Sequence, residues 1–506
     1  MSLRQGIFLT GATGLIGRYI LRDLLAAGFP VAVLIRSSPA EQAPERLDRL
    51  LAFGEESIKR KLPRPTLLQG DLNAAKLGLG TAERHWLAHH ARCVIHSAAY
   101  VAYSATPDGE PWKTNVNGLL GLLELCRSSG LNEVHYLSTA FVCGDRRGVV
   151  REDELDCGGG SGNAYEQSKF AAEQSLRQLP GIQATIYRPS IVVGDSHTGY
   201  TSTYHHFYRF LELAVRLFGR PAGMKRARRQ TVRLPLSGEE RQNIVPVDWV
   251  SRALIELAAQ PYRQGRAYHL VARRSVTIRE ITAIVEDLLR FKGIQWVGAA
   301  GLSDPTSVEQ VVLEQFQDYW SYLRSDVIFD CRNTRASLPD LPPPDIDRGL
   351  VARLLRFAQS DGWGRERARS PADRTAELAH YLEDILPARM KQSRLAEALP
   401  LGFVFVLDVH GNGGGWWTCR CGDRAISVRR GAAAEAVVTY RMEATILDNL
   451  IRGRQTAQQA FLEGHIEIDG DMEKAIKLAM LIEHFLAENM DRTSQRREEL
   501  HAAAGR

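Results

Sequence analysis

Tyr165 and Lys169 stand four residues apart in Asn163-Ala164-Tyr165-Glu166-Gln167-Ser168-Lys169. On a helix that spacing sets both side chains on one face. A free phenol has a pKa of about 10, too high for easy proton exchange at neutral pH. An ammonium beside it stabilises the phenolate and is expected to lower that pKa. The same lysine can hold a nicotinamide ribose. An exposed helix face often presents this pair too, so its meaning depends on its neighbours. One neighbour is the apolar run Val134 to Ser138, which reads as a strand. Its end, Leu137-Ser138-Thr139, offers a hydroxyl that can share a substrate oxygen with Tyr165.

The elements that must position this pair begin with the apolar run Gly6 to Leu9, read as a buried strand. Thr10-Gly11-Ala12-Thr13-Gly14-Leu15-Ile16-Gly17 follows, then a helical pattern from Arg18 to Ala27. Strand, glycine turn and helix let bare backbone approach a pyrophosphate at a helix N-terminus, where free N–H groups and the dipole favour an anion. The spacing is G-x-x-G-x-x-G rather than G-x-G-x-x-G. Arg36 closes the second strand, Val31 to Ile35. An acid there would bind a ribose 2′-hydroxyl, whereas a cation suits a 2′-phosphate, so NADP(H) is expected over NAD. Asp71, in Gly70-Asp71-Leu72 after the third strand, can accept from the adenine amino group. The small residues of His96-Ser97-Ala98-Ala99 end the fourth strand and let backbone lie against the ribose and phosphates.

The chain has 506 residues, enough for two or three domains. Hydrophobic content of 44% and charged content of 24% are ordinary for a globular protein. A net charge of +5 does not argue for nucleic acid. No apolar run reaches the ~18 residues of a membrane span. The early first strand leaves no expected leader, and seven cysteines, sparse and odd in number, suggest reduced thiols in a cytoplasmic compartment. Cys419 and Cys421 stand two apart with no second pair nearby, so no metal is expected.

Strand-like runs at Val31 to Ile35, Thr66 to Leu68, Cys93 to His96, Val134 to Ser138 and Ala184 to Tyr187 alternate with helical stretches. That alternation implies an α/β fold, a Rossmann-type doubly wound parallel sheet. From about 200 to 360 the pattern is less regular and reads as a substrate lobe. It holds helices near Trp249 to Gln260 and Ile278 to Phe291 and a basic patch at Arg220, Lys225, Arg226, Arg228 and Arg229. Residues 364–374 read as a linker. After it, strand-like Phe403 to Val409, Ile426 to Val428 and Val437 to Tyr440, with helices Ile446 to Ile451 and Glu473 to Leu486, imply a small α+β domain over 372–490. Residues 491–506 read as a frayed tail.

Over roughly residues 5–360 the sequence resembles the extended short-chain dehydrogenase/reductase family. In that pattern Ser138-Thr139-Ala140-Phe141-Val142-Cys143-Gly144 gives Thr139 the catalytic place, with Ser138 second, beside Tyr165 and Lys169. The details look most like the thioester-reductase and fatty acyl-CoA reductase branch. The strings that carry this are His96-Ser97-Ala98-Ala99-Tyr100-Val101, Asn115-Val116-Asn117-Gly118, Ser168-Lys169-Phe170-Ala171-Ala172-Glu173 and Tyr187-Arg188-Pro189-Ser190-Ile191-Val192-Val193-Gly194-Asp195-Ser196-His197-Thr198-Gly199. Phe170 departs from the tryptophan often found after Ser-Lys. The resemblance implies a reductase domain over 1–363. It implies cofactor contacts from Thr10, Gly11, Thr13, Gly14, Leu15, Ile16, Gly17, Arg36, Asp71, Leu72, Ala98, Ala99, Asn115, Lys169 and Pro189. It implies NADPH-dependent reduction of an acyl thioester, from acyl-CoA or an acyl carrier protein, to an aldehyde or further to an alcohol. The basic patch could receive the phosphates of either donor.

Residues 372–490 resemble a sterol-carrier-protein-like domain, on Trp416-Trp417, Phe461-Leu462-Glu463-Gly464-His465-Ile466-Glu467-Ile468-Asp469-Gly470-Asp471 and the helix after them. A lipid ligand is the implied partner, with peripheral membrane contact left open. Two other readings stand beside the first: an NADP-dependent sterol, hydroxysteroid or other lipid alcohol dehydrogenase of the same fold, and a non-catalytic lipid carrier that senses NADPH.

Overall fold

The computed structural model describes residues 6–38, 41–156, 162–218, 231–260, 265–298, 301–316, 319–324, 326–364, 378–379, 381–411, 414–451 and 455–485. The basic patch at 220–229, linker residues 365–374 and the tail at 491–506 lie outside them. The chain divides into two compact units. One comprises Met1–Phe207, Leu236–Leu288 and Asp318–Ser360; the other comprises Tyr208–Pro235, Leu289–Gln317 and Asp361–Arg506.

The first unit is built on seven parallel strands: β1 (Gly6–Thr10), β2 (Val31–Ile35), β3 (Thr66–Gln69), β4 (Ala91–His96), β5 (Glu133–Leu137), β6 (Gln183–Pro189) and β7 (Ala267–Leu270). Their order across the sheet is β7-β6-β5-β4-β1-β2-β3. β1 and β2 are buried along their whole length, as a sheet covered on both faces requires. Alternate residues go to opposite layers. Ile7, Leu9, Val31, Val33 and Ile95 pack with helix α1 (Leu15–Ala26) and the Val247–Ala258 helix, while Phe8, Ala32, Leu34 and Val94 pack beneath α4 (Leu119–Ser128). Strand order reverses between β1 and β4, so their carboxyl ends open a crevice where an α/β sheet takes its ligand.

Two boundaries differ from expectation in ways that matter to the site. The first helix starts at Leu15, a turn before Arg18, because Gly14 with extended backbone is its N-cap and the apolar pair after it is already helical. β5 ends at Leu137, which leaves Ser138 and Thr139 in the loop at its carboxyl end. The helix carrying Tyr165 and Lys169, here α5 (Ala164–Gln178), starts at a capping box. Asn163 accepts from the Glu166 amide and Glu166 accepts from the Asn163 amide.

In the second unit the C-terminal domain has five strands: β8 (Val404–His410), β9 (Gly415–Gly422), β10 (Ala425–Arg430), β11 (Val438–Glu443) and β12 (Ile466–Gly470), in the order β10-β9-β8-β11-β12. Helices Ala444–Ile451 and Ala457–Leu462 and helical residues 472–485 accompany them. Phe405, Trp417, Tyr440, Ala475 and Phe485 are buried there, while Trp416, one residue along the pleat, is exposed. Among the described residues no helix is long and apolar enough to cross a membrane.

Candidate active site

Two glycines after β1 are required by contact. Gly11 has φ +77°, and a Cβ on it would lie 2.3 Å from the Ala98 nitrogen. A Cβ on Gly17 would lie 2.0 Å from the Gly11 oxygen. Glycine at both lets the turn after β1, the end of β4 and the first turn of α1 close on one another. No side chain caps α1 and no acid lies in its first turn, so the amides over Leu15 and Ile16 keep their affinity for an anion. Thr10, Gly11, Thr13, Gly14, Ala98 and Ala99 line a cavity of about 430 Å³ that also reaches Arg36, Asp71 and Leu72. A bare-backbone cradle, a free helix N-terminus and a cationic far wall fit a phosphorylated dinucleotide.

Arg36 is exposed and pairs loosely with Asp71 at 3.4 Å. A second cation, Arg46, lines the same cavity and donates to the Arg36 carbonyl at 2.6 Å. The sequence reading missed it. Arg46 lies in α2 (Ala43–Ile58), ten residues beyond Arg36, and one helical turn into a segment that otherwise reads as an ordinary amphipathic helix.

Lys169 is 2% exposed. Its Nζ donates to the Leu137 carbonyl at 2.7 Å and to the Tyr136 hydroxyl at 3.1 Å. An ammonium has three donors, so one remains. Burial lowers its pKa to about 7, against a smaller opposing effect of Glu173. Tyr165 behaves contrary to expectation. Burial first, and the Glu166 charge second, hold its phenol above the ordinary value, so no lowering is present in the protein by itself. Two bonds of the Lys169 ammonium go to Leu137 and Tyr136.

The two adjacent hydroxyls after β5 part company. Ser138 donates to Glu173 at 3.0 Å, inside a buried cluster in which Glu173 also holds Arg188 and Arg177. Thr139 turns the other way and caps the short helix Ala140–Cys143, accepting from the Phe141 amide at 3.3 Å while its own hydrogen stays available.

Three residues join the glycine turn to α5. Thr10 Oγ1 and His96 Nδ1 are 2.7 Å apart, His96 stacks on Tyr136 with ring centroids 5.7 Å apart, and Tyr136 receives Lys169. Burial, with Lys169 adding to it, lowers His96 to about 3, which keeps the ring neutral. Asn115 spends its side chain on protein. It accepts from the Tyr100 amide and donates to the Tyr100 carbonyl and to Ser168 Oγ, at 2.8–2.9 Å, so it braces the loop after β4 against α5. Pro189 closes β6, opposite Leu270 of β7. Tyr103, Phe141 and His206 pack on Tyr322, whose hydroxyl accepts from Asn163 at 2.8 Å, and Tyr319 packs on Tyr103 and His206. Burial pushes the neighbouring Glu166 up to about 7.

Among the described residues one group, Cys93, Glu133 and His135, has metal-ligand side chains close together. Both His135 nitrogens are already in hydrogen bonds, with Tyr187 and Glu133.

Sheet order and glycine cradle together define the class: a Rossmann-type, doubly wound α/β fold with a dinucleotide-binding turn. Comparison with known proteins narrows it. Residues 9–254 match the family described as Male sterility protein, an NAD-binding family, and residues 382–483 match the SCP-2 sterol transfer family. The chain thus carries a region similar to each of the two families. It is 31% identical over 282 residues to the L-2-aminoadipate reductase large subunit of Penicillium chrysogenum, covering 51% of this chain and 19% of that protein. It is 28% identical over 363 residues to a nonribosomal peptide synthetase of Aspergillus flavus, covering 66% of this chain and 34% of that protein. The chain thus spans about a third or less of these relatives. Two solved structures share its fold. The terminal R domain from the myxalamid PKS-NRPS pathway has TM-score 0.57 and 24% identity, covering 71% of this chain and 91% of that one. The reductase (R) domain of a nonribosomal peptide synthetase from Mycobacterium tuberculosis has TM-score 0.53 and 20% identity, covering 71% and 92%.

Proposed function

We propose that this chain is an NADPH-dependent acyl-thioester reductase that releases an aldehyde and a free thiol. The observation that carries the reading is the seat of Lys169. Its bonds to Leu137 and Tyr136 anchor the Tyr165 helix to the carboxyl end of β5, the strand that leads into Thr139 and pairs with β4, whose following residues Ser97, Ala98 and Ala99 line the glycine cavity.

Thr139 and Tyr165 are the donors to the thioester oxygen, placed for the charge that develops there. Bound NADPH would supply hydride to the carbonyl carbon. Tyr165 holds its proton at the phenolic oxygen, because burial keeps it neutral, and gives it to the alkoxide as the C–O bond becomes single. The remaining Lys169 donor orients the nicotinamide ribose and supplies charge to the phenolate left behind. The hemithioacetal then breaks its C–S bond. The balance is thioester, NADPH and one proton in; aldehyde, thiol and NADP⁺ out.

Arg36 and Arg46 support the 2′-phosphorylated cofactor. The names of the relatives, peptide synthetases and an aminoadipate reductase, favour a carrier-tethered thioester. CoA presents the same phosphopantetheine arm. The SCP-2-type region favours a long apolar acyl group, since each buried methylene is worth about 0.8 kcal/mol. That same region favours one second reading, an NADP-dependent sterol or lipid alcohol dehydrogenase. NADPH consumption decides between them, assayed with a long-chain acyl-CoA, the matching acyl-carrier thioester and a sterol ketone. Turnover of a thioester supports the proposal; turnover of the sterol ketone alone supports the second reading. No turnover of any supports a lipid carrier.

A further inference from the structure

Thr10, His96 and Tyr136 form one row across three neighbouring strands. Thr10 of β1 pairs with His96 of β4, and His96 pairs with Tyr136 of β5. Two residues earlier on the same strands, Phe8, Val94 and Val134 are apolar and pack into the layer beneath α4. The face therefore turns polar only at its last row before the crevice. That row starts at the glycine cavity, which Thr10 lines, with Thr10 Oγ1 2.7 Å from His96 Nδ1. Its members are 0%, 1% and 0% exposed, and Lys169 reaches it from α5. Polar groups buried in an apolar layer cost free energy unless each is paired. Here the pairing is incomplete, since the buried His96 Nε2 meets no partner among the described residues. Stability alone does not account for such a row.

The row meets the chemistry at Lys169. Its Nζ lies 3.1 Å from the Tyr136 hydroxyl oxygen and 4.5 Å from the centroid of the same ring. Both contacts favour the charged amine over the neutral one. His96 stacks on Tyr136 with the two planes 13° apart, which fixes where that ring lies. Burial, then Tyr165 and Glu173, hold the Tyr136 phenol far above its ordinary value, so it faces the ammonium as a neutral acceptor and not as an acid. The other titratable groups facing Lys169 come from β4 and from α5 itself. His96 and Tyr165 are both kept neutral by burial. The Glu173 charge favours the ammonium through space, while its oxygens are engaged by Ser138, Arg177 of α5 and Arg188 of β6.

We propose that Tyr136 is a positioning residue for hydride transfer: its hydroxyl keeps Lys169 chargeable at neutral pH at the end of β5, leaving the third ammonium hydrogen for the nicotinamide ribose. Tyr136 acts through Lys169 rather than on the reacting atoms. Its part in turnover rests on the thioester-reductase reading; the phenol–ammonium bond does not.

The test uses the full chain as wild type, Tyr136→Phe, Lys169→Met and the double variant. Tyr136→Phe keeps the ring and removes only the hydroxyl. Melts across pH read the bond. Tyr136→Phe should lower Tm most at about pH 6, where Lys169 is charged in folded and unfolded chains alike, and least at about pH 9, where the folded chain has lost that proton. In the Lys169→Met background the same substitution should cost the same at both pH values. A cost independent of pH in the lysine-bearing protein overturns the proposal. Kinetics with a palmitoyl thioester read the positioning. Wild-type kcat/KM should fall on the alkaline side as Lys169 loses its proton, and Tyr136→Phe should move that fall about one unit to lower pH. Its rate loss is then at most about twofold at about pH 6 and about tenfold at about pH 8. The ratio between the two pH values is compared, so a smaller folded fraction in the variant does not disturb the result. Equal losses at both pH values overturn the positioning role. Wild type that reduces no thioester defeats the reductase reading, and the melts still judge the bond.

Discussion

Ser138 donates its hydroxyl to Glu173 at 3.0 Å, and this bond decides which of two adjacent hydroxyls is free to meet a substrate. The cluster it joins is deep: Glu173 and Arg188 are both 0% exposed. Ser138 is held by the scaffold, and the proposed reaction therefore uses Thr139 as its donor.

The two hydroxyls should therefore respond differently to loss. Thr139→Val should lower kcat/KM by about 10²–10³, the cost of one oxyanion donor. Ser138→Ala should leave kcat within about twofold and cost about 1 kcal/mol of stability. Kinetics and thermal melts on both variants check this. A large rate loss in Ser138→Ala with normal stability would exchange the two roles.

Lys169 should leave a mark on stability. Its folded pKa of about 7 lies below the ordinary 10.5. Below pH 7 both folded and unfolded chains hold the proton, and the burial penalty is complete. Between pH 7 and about 10 the unfolded chain holds a proton that the folded one has lost, so this group's contribution becomes more favourable as pH rises. Lys169→Met should raise Tm most near about pH 6 and least near about pH 10, while abolishing turnover. An equal gain across that range would mean that the lysine keeps its charge in the folded protein.

Arg36→Ala and Arg46→Ala should each weaken NADPH binding by about tenfold and leave NADH nearly unchanged, with a smaller effect at high salt because Arg36 is exposed. Titration of both cofactors checks it. Parallel losses for NADH and NADPH would remove the 2′-phosphate from this corner of the cavity.

Gly17→Ala should destabilise strongly, since its Cβ would stand 2.0 Å from the Gly11 oxygen. Gly14→Ala should fold normally, because its nearest contact would be 3.4 Å and its φ of −73° suits any residue. Melts of the two proteins without cofactor measure the difference. Equal Tm values would show that the turn is looser than its packing.

Much of this was readable before any fold was known, for physical reasons. Strands buried on both faces give continuous apolar runs, and β2 coincides with its run, Val31–Ile35. The glycine spacing marks a backbone approach that side chains would block. The choice between Ser138 and Thr139 was not readable, because a one-residue step flips the face and only the position of Glu173, 35 residues on, distinguishes them. Arg46 was hidden because an arginine on an amphipathic helix looks solvated until β2 ends beside it. Asn115 reads like a ligand but acts as a brace, since its partners Tyr100 and Ser168 come from two separate elements.

The most direct test of the central claim is isotopic. NADPH carrying deuterium at the transferable position is turned over with a palmitoyl thioester in excess, and the products are identified by mass. The account predicts free thiol in equal amount and palmitaldehyde with one deuterium on its carbonyl carbon, both lost in Tyr165→Phe. Thiol released without deuterium reaching the acyl carbon, or full labelling by Tyr165→Phe, would contradict it.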